Sequence, residues 1–387
     1  MNTQTVLNLN THILDLYICS NISNSNSRNN YESLTSNCMD VSSLFNIFKL
    51  LYHGTGKKTK ERLSNKTNLK KIIEAMPESE HTYTRSGVFI QASNTFNNTY
   101  HRMFNRNSLL HYIPTDEKKR KIANNLIVNK FQNWPVEEEP FFKHPISSNP
   151  RLLIRDQSYF KGKWETPFDR KKTIVEDFYI GNDKKIKIPM MTSHDENKEP
   201  ILTYFDIESK MLFASLPYTN GYSMLVIKPE QPHTKEQLFN LLVEKQITAN
   251  SISDFYNLKG KLTWFTEKKL PKFEFESSFE LNNNTNFNQK AFDSCSYLKI
   301  IFDKSIDLSN IDNNPNNIAD CIVINSETKI INNEDGTFVK SQSDFYGFDN
   351  CQKIDPKCLK IDSNFIFMIV DENKVISKVA LYVGEQQ

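Results

Sequence analysis

The chain has 387 residues, 38 % hydrophobic and 12 % aromatic, with 27 phenylalanines; that is enough for a large core, and a mixed fold of this length need not be two domains. Its 48 basic and 46 acidic side chains leave a net charge of +2, so nothing electrostatic calls for a nucleic acid or an anionic membrane as partner. No apolar run approaches the ~18 residues of a membrane-spanning helix. Six cysteines, at 19, 38, 295, 321, 351 and 358, are too scattered for a disulfide framework and read as free cytosolic thiols. The amino terminus, Met1-Asn2-Thr3-Gln4-Thr5-Val6, lacks a basic region followed by an apolar one. With no leader visible, the chain is expected in the cytoplasm, or secreted with its leader already removed. Sequons at Asn21, Asn65, Asn97 and Asn283 keep secretion open, although an Asn-rich chain also produces them by chance.

In chain order, the first part reads mainly as helix. Val41, Leu44, Phe45, Ile47, Phe48 and Leu51 recur at spacings of three and four, a stripe that ends near His53-Gly54-Thr55-Gly56. Asp116 to Phe131 reads as a basic amphipathic helix with Ile122, Leu126, Ile127 and Phe131 inward. From about Arg151 onward, strands dominate. Lys185 to Ile188 alternates, and so does Lys272 to Leu281, with Phe273, Phe275, Phe279 and Leu281 on one face. Ser223–Ile227, Phe365–Val370 and Val379–Val383 are continuous apolar runs, the mark of strands buried on both faces. Between them, Thr234 and Gln237 open a helix to Glu244 with a capping box. No linker or repeat divides the chain, so residues 1–387 are expected to form one α+β domain, helices first and mainly antiparallel sheets after.

Residue identities go further. Arg151-Leu152-Leu153-Ile154-Arg155-Asp156-Gln157-Ser158-Tyr159-Phe160-Lys161-Gly162-Lys163-Trp164-Glu165-Thr166-Pro167-Phe168 closely resembles the serpin family's central strand running into Tyr-Phe-Lys-Gly-x-Trp and x-x-Pro-Phe. Glu176-Asp177-Phe178 with Ile188-Pro189-Met190-Met191, Leu216-Pro217-Tyr218 with Ser223 to Pro229, and Leu270-Pro271-Lys272-Phe273 follow in family order. Asn333-Glu334-Asp335-Gly336-Thr337 is similar to the family's hinge and Phe365-Ile366-Phe367 to its late strand. The resemblance spans about 150 to 384. It implies a serpin fold with three mainly antiparallel sheets and a mobile reactive loop at about 334–364. It also implies a protease inhibitor that is not itself an enzyme, acts as a monomer and has a serine protease as partner. In this reading a protease acylated by the loop is dragged along as the loop inserts into the large sheet, in a race against hydrolysis.

Catalytic and ligand sets are missing from the sequence: no Gly-x-Ser-x-Gly, no His-Glu-x-x-His, no Cys-x-x-Cys, no Gly-x-Gly-x-x-Gly. Gly56-Lys57-Lys58-Thr59 lacks the glycine a phosphate loop needs at Leu51, and the eight histidines have no ligand spacing. No catalytic residue, cofactor or metal is therefore expected.

The resemblance also assigns working positions. Glu334, Asp335, Gly336 and Thr337 would be the hinge; beyond it, Thr337, Val339, Ser341, Ser343 and Phe345 would face inward and Phe338, Lys340, Gln342 and Asp344 outward. Relatives usually carry small residues after Gly-Thr, so Phe338, Lys340 and Gln342 are departures that slow insertion and leave open the alternative of a non-inhibitory serpin-fold binding protein whose loop is a substrate or does not insert. Trp164 would pack at the gate. Ser43 keeps its place in the region where the sheet opens, but the family's Ser-Pro-x-Ser-Ile becomes Asp40-Val41-Ser42-Ser43-Leu44. Asp156 stands where relatives often have Asn, and Ser326 where they have His. Counting sixteen residues from Glu334 places the scissile bond at Asn350–Cys351, whereas counting twelve back from Phe365 places it at Lys353–Ile354. Lys353, which suits a trypsin-like protease, is preferred over Asn350, Phe348 or Asp349. Cys351 and Cys358 bracket that bond, and a disulfide between them would tether the cleavage products.

Overall fold

The computed structural model describes residues 2–22, 36–67, 69–76, 82–91, 95–104, 108–114, 116–119, 122, 152–181, 184–194, 200–231, 233–282, 295–303, 306–311, 323–341 and 358–384. The chain starts with α1 (Thr3–Ile22), which buries Leu9, Ile13, Leu16 and Tyr17. Strand β1 (Asn37–Asp40) runs directly into α2 (Val41–Gly54), whose first-turn Ser43 N–H donates to the Asp40 carboxylate at 3.1 Å. The apolar stripe read from Val41 to Leu51 is buried throughout. Helices α3 (Lys57–Lys66) and α4 (Leu69–Ala75) follow, then β2 (Thr82–Gln91), α5 (Asn98–Phe104) and β3 (Ser108–Ile113).

The first part is thus less helical than its sequence suggests. Strand β2 finds its partner in β4 (Leu152–Lys163), some seventy residues away in the chain, and no local periodicity could announce that pairing. The expected helix over Asp116–Phe131 is described only at its beginning, where Ile122 is exposed at 63 % instead of facing inward. Leu126, Ile127 and Phe131 lie outside the described residues.

After β4 come β5 (Ile174–Tyr179), β6 (Lys185–His194), β7 (Pro200–Asp206), β8 (Met211–Pro217) and β9 (Ser223–Pro229). Helix α6 (Lys235–Val243) carries the expected capping box, the Gln237 N–H donating to Thr234 Oγ1 at 3.2 Å and the Thr234 N–H to Gln237 Oε1. Then follow α7 (Ala249–Asp254), β10 (Lys261–Trp264), β11 (Glu267–Pro271), β12 (Phe273–Asn282), α8 (Ser296–Ile301), β13 (Val323–Asn333), β14 (Gly336–Ser341), β15 (Cys358–Lys360), β16 (Phe365–Val370) and β17 (Ile376–Tyr382).

Three sheets result, in the orders β1-β17-β16-β9-β8-β7-β10, β15-β11-β6-β5 and β12-β13-β14-β4-β2-β3. Only β2/β3 and β11/β15 pair in parallel among these strands. The three continuous apolar runs are β9, β16 and β17, side by side inside the seven-stranded sheet, which explains why both of their faces are apolar. One core cluster lies among the helices and includes Tyr17, Phe48, Tyr297 and Ile366. The other joins the sheets around Phe160, Trp164, Phe273, Phe367 and Tyr382, with Phe273 stacked on Tyr382 at 4.2 Å between centroids.

Candidate functional site: the hinge strand and its flanking clusters

The segment expected to serve as the hinge forms strand β14 and the turn before it, and β14 already lies within the six-stranded sheet. Glu334 and Asp335 form the turn of a hairpin from β13, so that Asn333 faces Gly336 and Thr328 faces Ser341. On its other edge β14 pairs with β4, from Gly336 opposite Lys163 to Ser341 opposite Ser158. The period-two reading holds where side chains are described: Thr337 and Val339 are fully buried, whereas Phe338 faces outward under the Lys161 ammonium, 5.2 Å from its ring centroid. Ser343 and Phe345 lie outside the described residues.

A polar relay holds Thr337. The Tyr218 hydroxyl donates to Thr337 Oγ1 at 2.8 Å, Thr337 donates to Asn332 Oδ1 at 2.9 Å, and the Asn332 amide donates to the Pro271 carbonyl at 2.8 Å. All three side chains are buried, so each hydrogen bond spares a desolvated group. Gly336 is required by close approach, because a Cβ there would lie 2.0 Å from the Gly162 carbonyl oxygen.

Trp164 does more than fill space. Its indole N–H donates to the Asn333 carbonyl at 2.9 Å and its backbone N–H to the Asp335 carbonyl at 3.0 Å, while its ring stacks on Tyr218 at 4.6 Å. The Phe168 N–H reaches the Glu334 carbonyl at 2.9 Å. The Glu334 carboxylate takes Lys272 Nζ at 2.9 and 3.0 Å and the Thr173 hydroxyl at 2.7 Å. Burial disfavours the Glu334 charge, but these donors prevail and hold its pKa below the usual value. Asp335 pairs with Arg170 at the surface.

Below the end of β14 sits a second polar cluster. Asp40 is fully buried; its carboxylate takes Lys378 Nζ at 2.6 Å, an ion pair with no exposure on either side, and the Ser158 hydroxyl. Asp156, on β4, accepts from the Ser86 hydroxyl of β2 through one oxygen, with Ser43 and Asn46 alongside; its other oxygen is buried without a hydrogen-bond partner among the described residues. Burial first, and the Asp40 charge second, push the Asp156 carboxyl well above the usual range, and Ser86 offsets this only in part. Ser43, Asp40 and Asp156 are therefore brought together. Ser326 faces Phe279 in the β12/β13 register, but its side chain lies outside the described residues.

A pH dependence follows. Below the ordinary aspartate pKa near 3.8, Asp156 is protonated both folded and unfolded. As pH rises past that value the unfolded chain releases its proton while the folded one keeps it, so stability falls until the raised folded pKa is reached. Asp156→Asn removes that slope and gains stability at pH 7, by about 1–3 kcal/mol if the orphaned oxygen is the main cost. Melting curves of both proteins from pH 4 to 8 check it: the two should diverge as pH rises, and parallel profiles would contradict the assignment.

The scissile-bond candidates Asn350, Cys351, Lys353 and Ile354 lie outside the described residues. Beyond them, β15 pairs in parallel with β11, and Lys360 and Lys269 both bind the Glu176 carboxylate. Asp362 just after β15 pairs with Lys228 at 2.8 Å, almost wholly buried. Cys358 is thus a half-buried strand residue, its thiol raised to about 12 chiefly by burial and then by Glu267. Such a thiol is almost all un-ionised at neutral pH and a poor partner for exchange with Cys351. Local sequence pattern does not give Tyr218 as partner of both Trp164 and Thr337, nor the roles of Asn332, Lys272 and Lys378. Tyr218 and Lys272 stand in the motifs quoted above, and Lys378 is a lone cation at the edge of an apolar run, but none of these positions announces its distant partner.

A sequence model described as Serpin (serine protease inhibitor) matches residues 41–384. Serpin A3-2 of Bos taurus is 31 % identical over 43 % of this chain and 37 % of its own length. Protein Z-dependent protease inhibitor of Rattus norvegicus is 26 % identical over 77 % of this chain and 63 % of its own. The chain therefore spans between about a third and two thirds of the length of these relatives. Among solved structures, cleaved Serpin 42Da superposes with a TM-score of 0.72 at 16 % identity, covering 99 % of this chain and 98 % of that one.

Proposed function

This chain belongs to the serpin family, and from that membership we propose that it is an inhibitory serpin: it offers its loop to a serine protease and traps the acylated enzyme by drawing the loop into the six-stranded sheet. The observation that carries the reading is that Gly336–Ser341 is laddered on both edges, between β13 and β4, in line for the rest of the loop to enter a groove between the same two strands. Among the described residues, β13 continues through 323–327 and β4 through 152–157 past the end of β14 with no strand between them. Among the described residues, the partners of those edges are on their far sides, β12 and β2. A strand entering there gains a ladder on both edges, and Thr337 and Val339 have opened the way with inward side chains that fit. A trypsin-like protease cutting at Lys353 is the favoured target. The relatives named as protease inhibitors support a protease as partner in general terms.

Incubation with a panel of serine proteases, followed by a denaturing gel, tests the proposal. A stable covalent band supports inhibition; clipping without a band sinks it. The second reading, a non-inhibitory member whose loop is merely a substrate, is favoured by one observation: bulky Phe338, held against Lys161, must move with any rearrangement of the strand. The thermal behaviour of the clipped protein separates the two. If the loop enters the groove, cleavage between Gln342 and Lys353 should raise the melting temperature by about 10 °C or more, given roughly 1 kcal/mol per added ladder bond. Equal melting of cut and uncut protein would favour the substrate reading.

A further inference from the structure

Two cysteines far from the loop lie against each other in the helical core. Cys19 is on the last full turn of α1, and Cys295 immediately precedes α8. Both are 0 % exposed and belong to the same apolar cluster. Their thiols are hydrogen-bonded to one another, although 276 residues separate them in the chain (295 − 19). The other described cysteines do not share this arrangement: Cys38 is buried on β1, and Cys358 sits at the edge of the four-stranded sheet beside Glu267.

The helix that carries Cys19 is fixed by independent contacts. Asn10 donates to the Lys374 carbonyl at 2.9 Å and accepts from the Ile376 N–H at 3.0 Å, tying the middle of α1 to the β16–β17 turn. Asp15, one turn before Cys19, pairs with Lys245. On the other side, Tyr297 and Leu298 of α8 are buried in the same core, and the Tyr297 ring packs edge-on against Phe48 of α2 at 5.4 Å. The two sulfurs are therefore held in contact by packing that does not depend on a bond between them.

We propose that Cys19 and Cys295 form a disulfide that staples the amino-terminal helix to the segment leading into α8. With a small disulfide such as oxidised glutathione as oxidant, one thiolate attacks it and releases one glutathione. The second thiolate then displaces the other, leaving the Cys19–Cys295 bond, two molecules of reduced glutathione and no net proton change. Because neither sulfur reaches solvent in the folded protein, exchange takes place while the chain folds or opens. Once closed, the bridge resists reduction. It joins a loop of nearly three hundred residues, the regime in which a cross-link most restricts the unfolded chain. Both cysteines lie outside β13, β14 and β4, so the bridge stabilises the protein without blocking the groove.

Peptide mapping tests this on the full chain and needs no variant. Trypsin releases Cys19 within Met1–Arg28 and Cys295 within Ala291–Lys299, each the single cysteine of its peptide. After refolding in a glutathione redox buffer, the two peptides should appear as one linked species two hydrogens lighter than their sum, and separate on reduction. The oxidised protein should melt about 5 °C above the reduced one. Cys19→Ala and Cys295→Ala should each abolish the linked species and the thermal gain, and the double variant should do no more than either. Recovery of the two peptides unlinked, or of Cys19 linked to Cys38, overturns the proposal, whatever the protein does to proteases.

Discussion

Thr337→Arg will abolish covalent complex formation while leaving the loop open to cleavage by the same protease. Thr337 is fully buried between the Tyr218 hydroxyl and the Asn332 carboxamide, both of which its own hydroxyl serves. An arginine there brings a charge and a long side chain into a space lined by Trp164, Tyr218 and Phe160. Burying an unpaired polar group costs about 2–7 kcal/mol, more for a charge. Because position 337 is already seated in the sheet, the variant escapes that cost by releasing the hinge before cleavage, and insertion must then bury the charge afresh. Each ~1.4 kcal/mol added to that step is tenfold in rate, so ~3 kcal/mol slows insertion about a hundredfold and hands the race to hydrolysis. Thr337→Val is the control; it keeps the shape, loses two hydrogen bonds, and should cost about 1–3 kcal/mol. A denaturing gel against the protease found by panel screening reads all three proteins. Undiminished complex from the arginine variant would show that the inward register of β14 does not govern insertion.

Lys378→Met will destabilise the protein by about 3–5 kcal/mol at neutral pH, because it leaves the Asp40 carboxylate buried without its cation. Lys378 and Asp40 are both wholly inaccessible, and the carboxylate keeps the neutral Ser158 hydroxyl and Ser43 N–H as donors. Asp156 stands close enough for the Asp40 charge to help keep it protonated, so it supplies no countercharge. Combining Lys378→Met with Asp40→Asn should recover most of the loss, since the amide needs no countercharge and still accepts from Ser43 to cap α2. Urea unfolding of the three variants measures this. A single variant as stable as the double one would mean that water or a nearby group had replaced the lysine.

How far the sequence foretold this structure depended on the range of the forces at each place. Val41 to Leu51 announced α2 because a helix writes its buried face into neighbouring residues. Phe365 to Val370 announced a strand buried on both sides, and the ordered set from Leu152 to Phe367 announced the family. What local pattern could not show was who meets whom. Tyr218 is 119 residues from Thr337, and Lys378 is 338 residues from Asp40. Strand β2, with Thr82, Thr84 and Ser86 among its residues, has no apolar rhythm of its own and exists because β4 lies beside it. The departure at Asp40 was visible as a missing serine, but its meaning was not, since it lies in the lysine that answers it. Lys378, just before the apolar run Val379–Val383, carries nothing in its sequence surroundings that points to Asp40. The expected hinge poses the opposite difficulty: nothing in Gly336 to Ser341 tells that this stretch is already seated in the sheet.

Gly162 of β4 and Gly336 of β14, one register step apart, differ in what history allows them. A Cβ on Gly162 would strike the Phe160 and Tyr218 rings at 2.8 Å, and rings are side chains, which drift can trim. A Cβ on Gly336 would strike the Gly162 carbonyl oxygen at 2.0 Å and the Lys163 Cα at 2.8 Å, and those atoms belong to the backbone of every possible descendant. Position 162 is therefore negotiable, open to a larger residue in any lineage that first shrinks an aromatic neighbour. Position 336 has no such compensating path while the hinge stays seated, and a lineage that loses this glycine gives up the seated hinge with it.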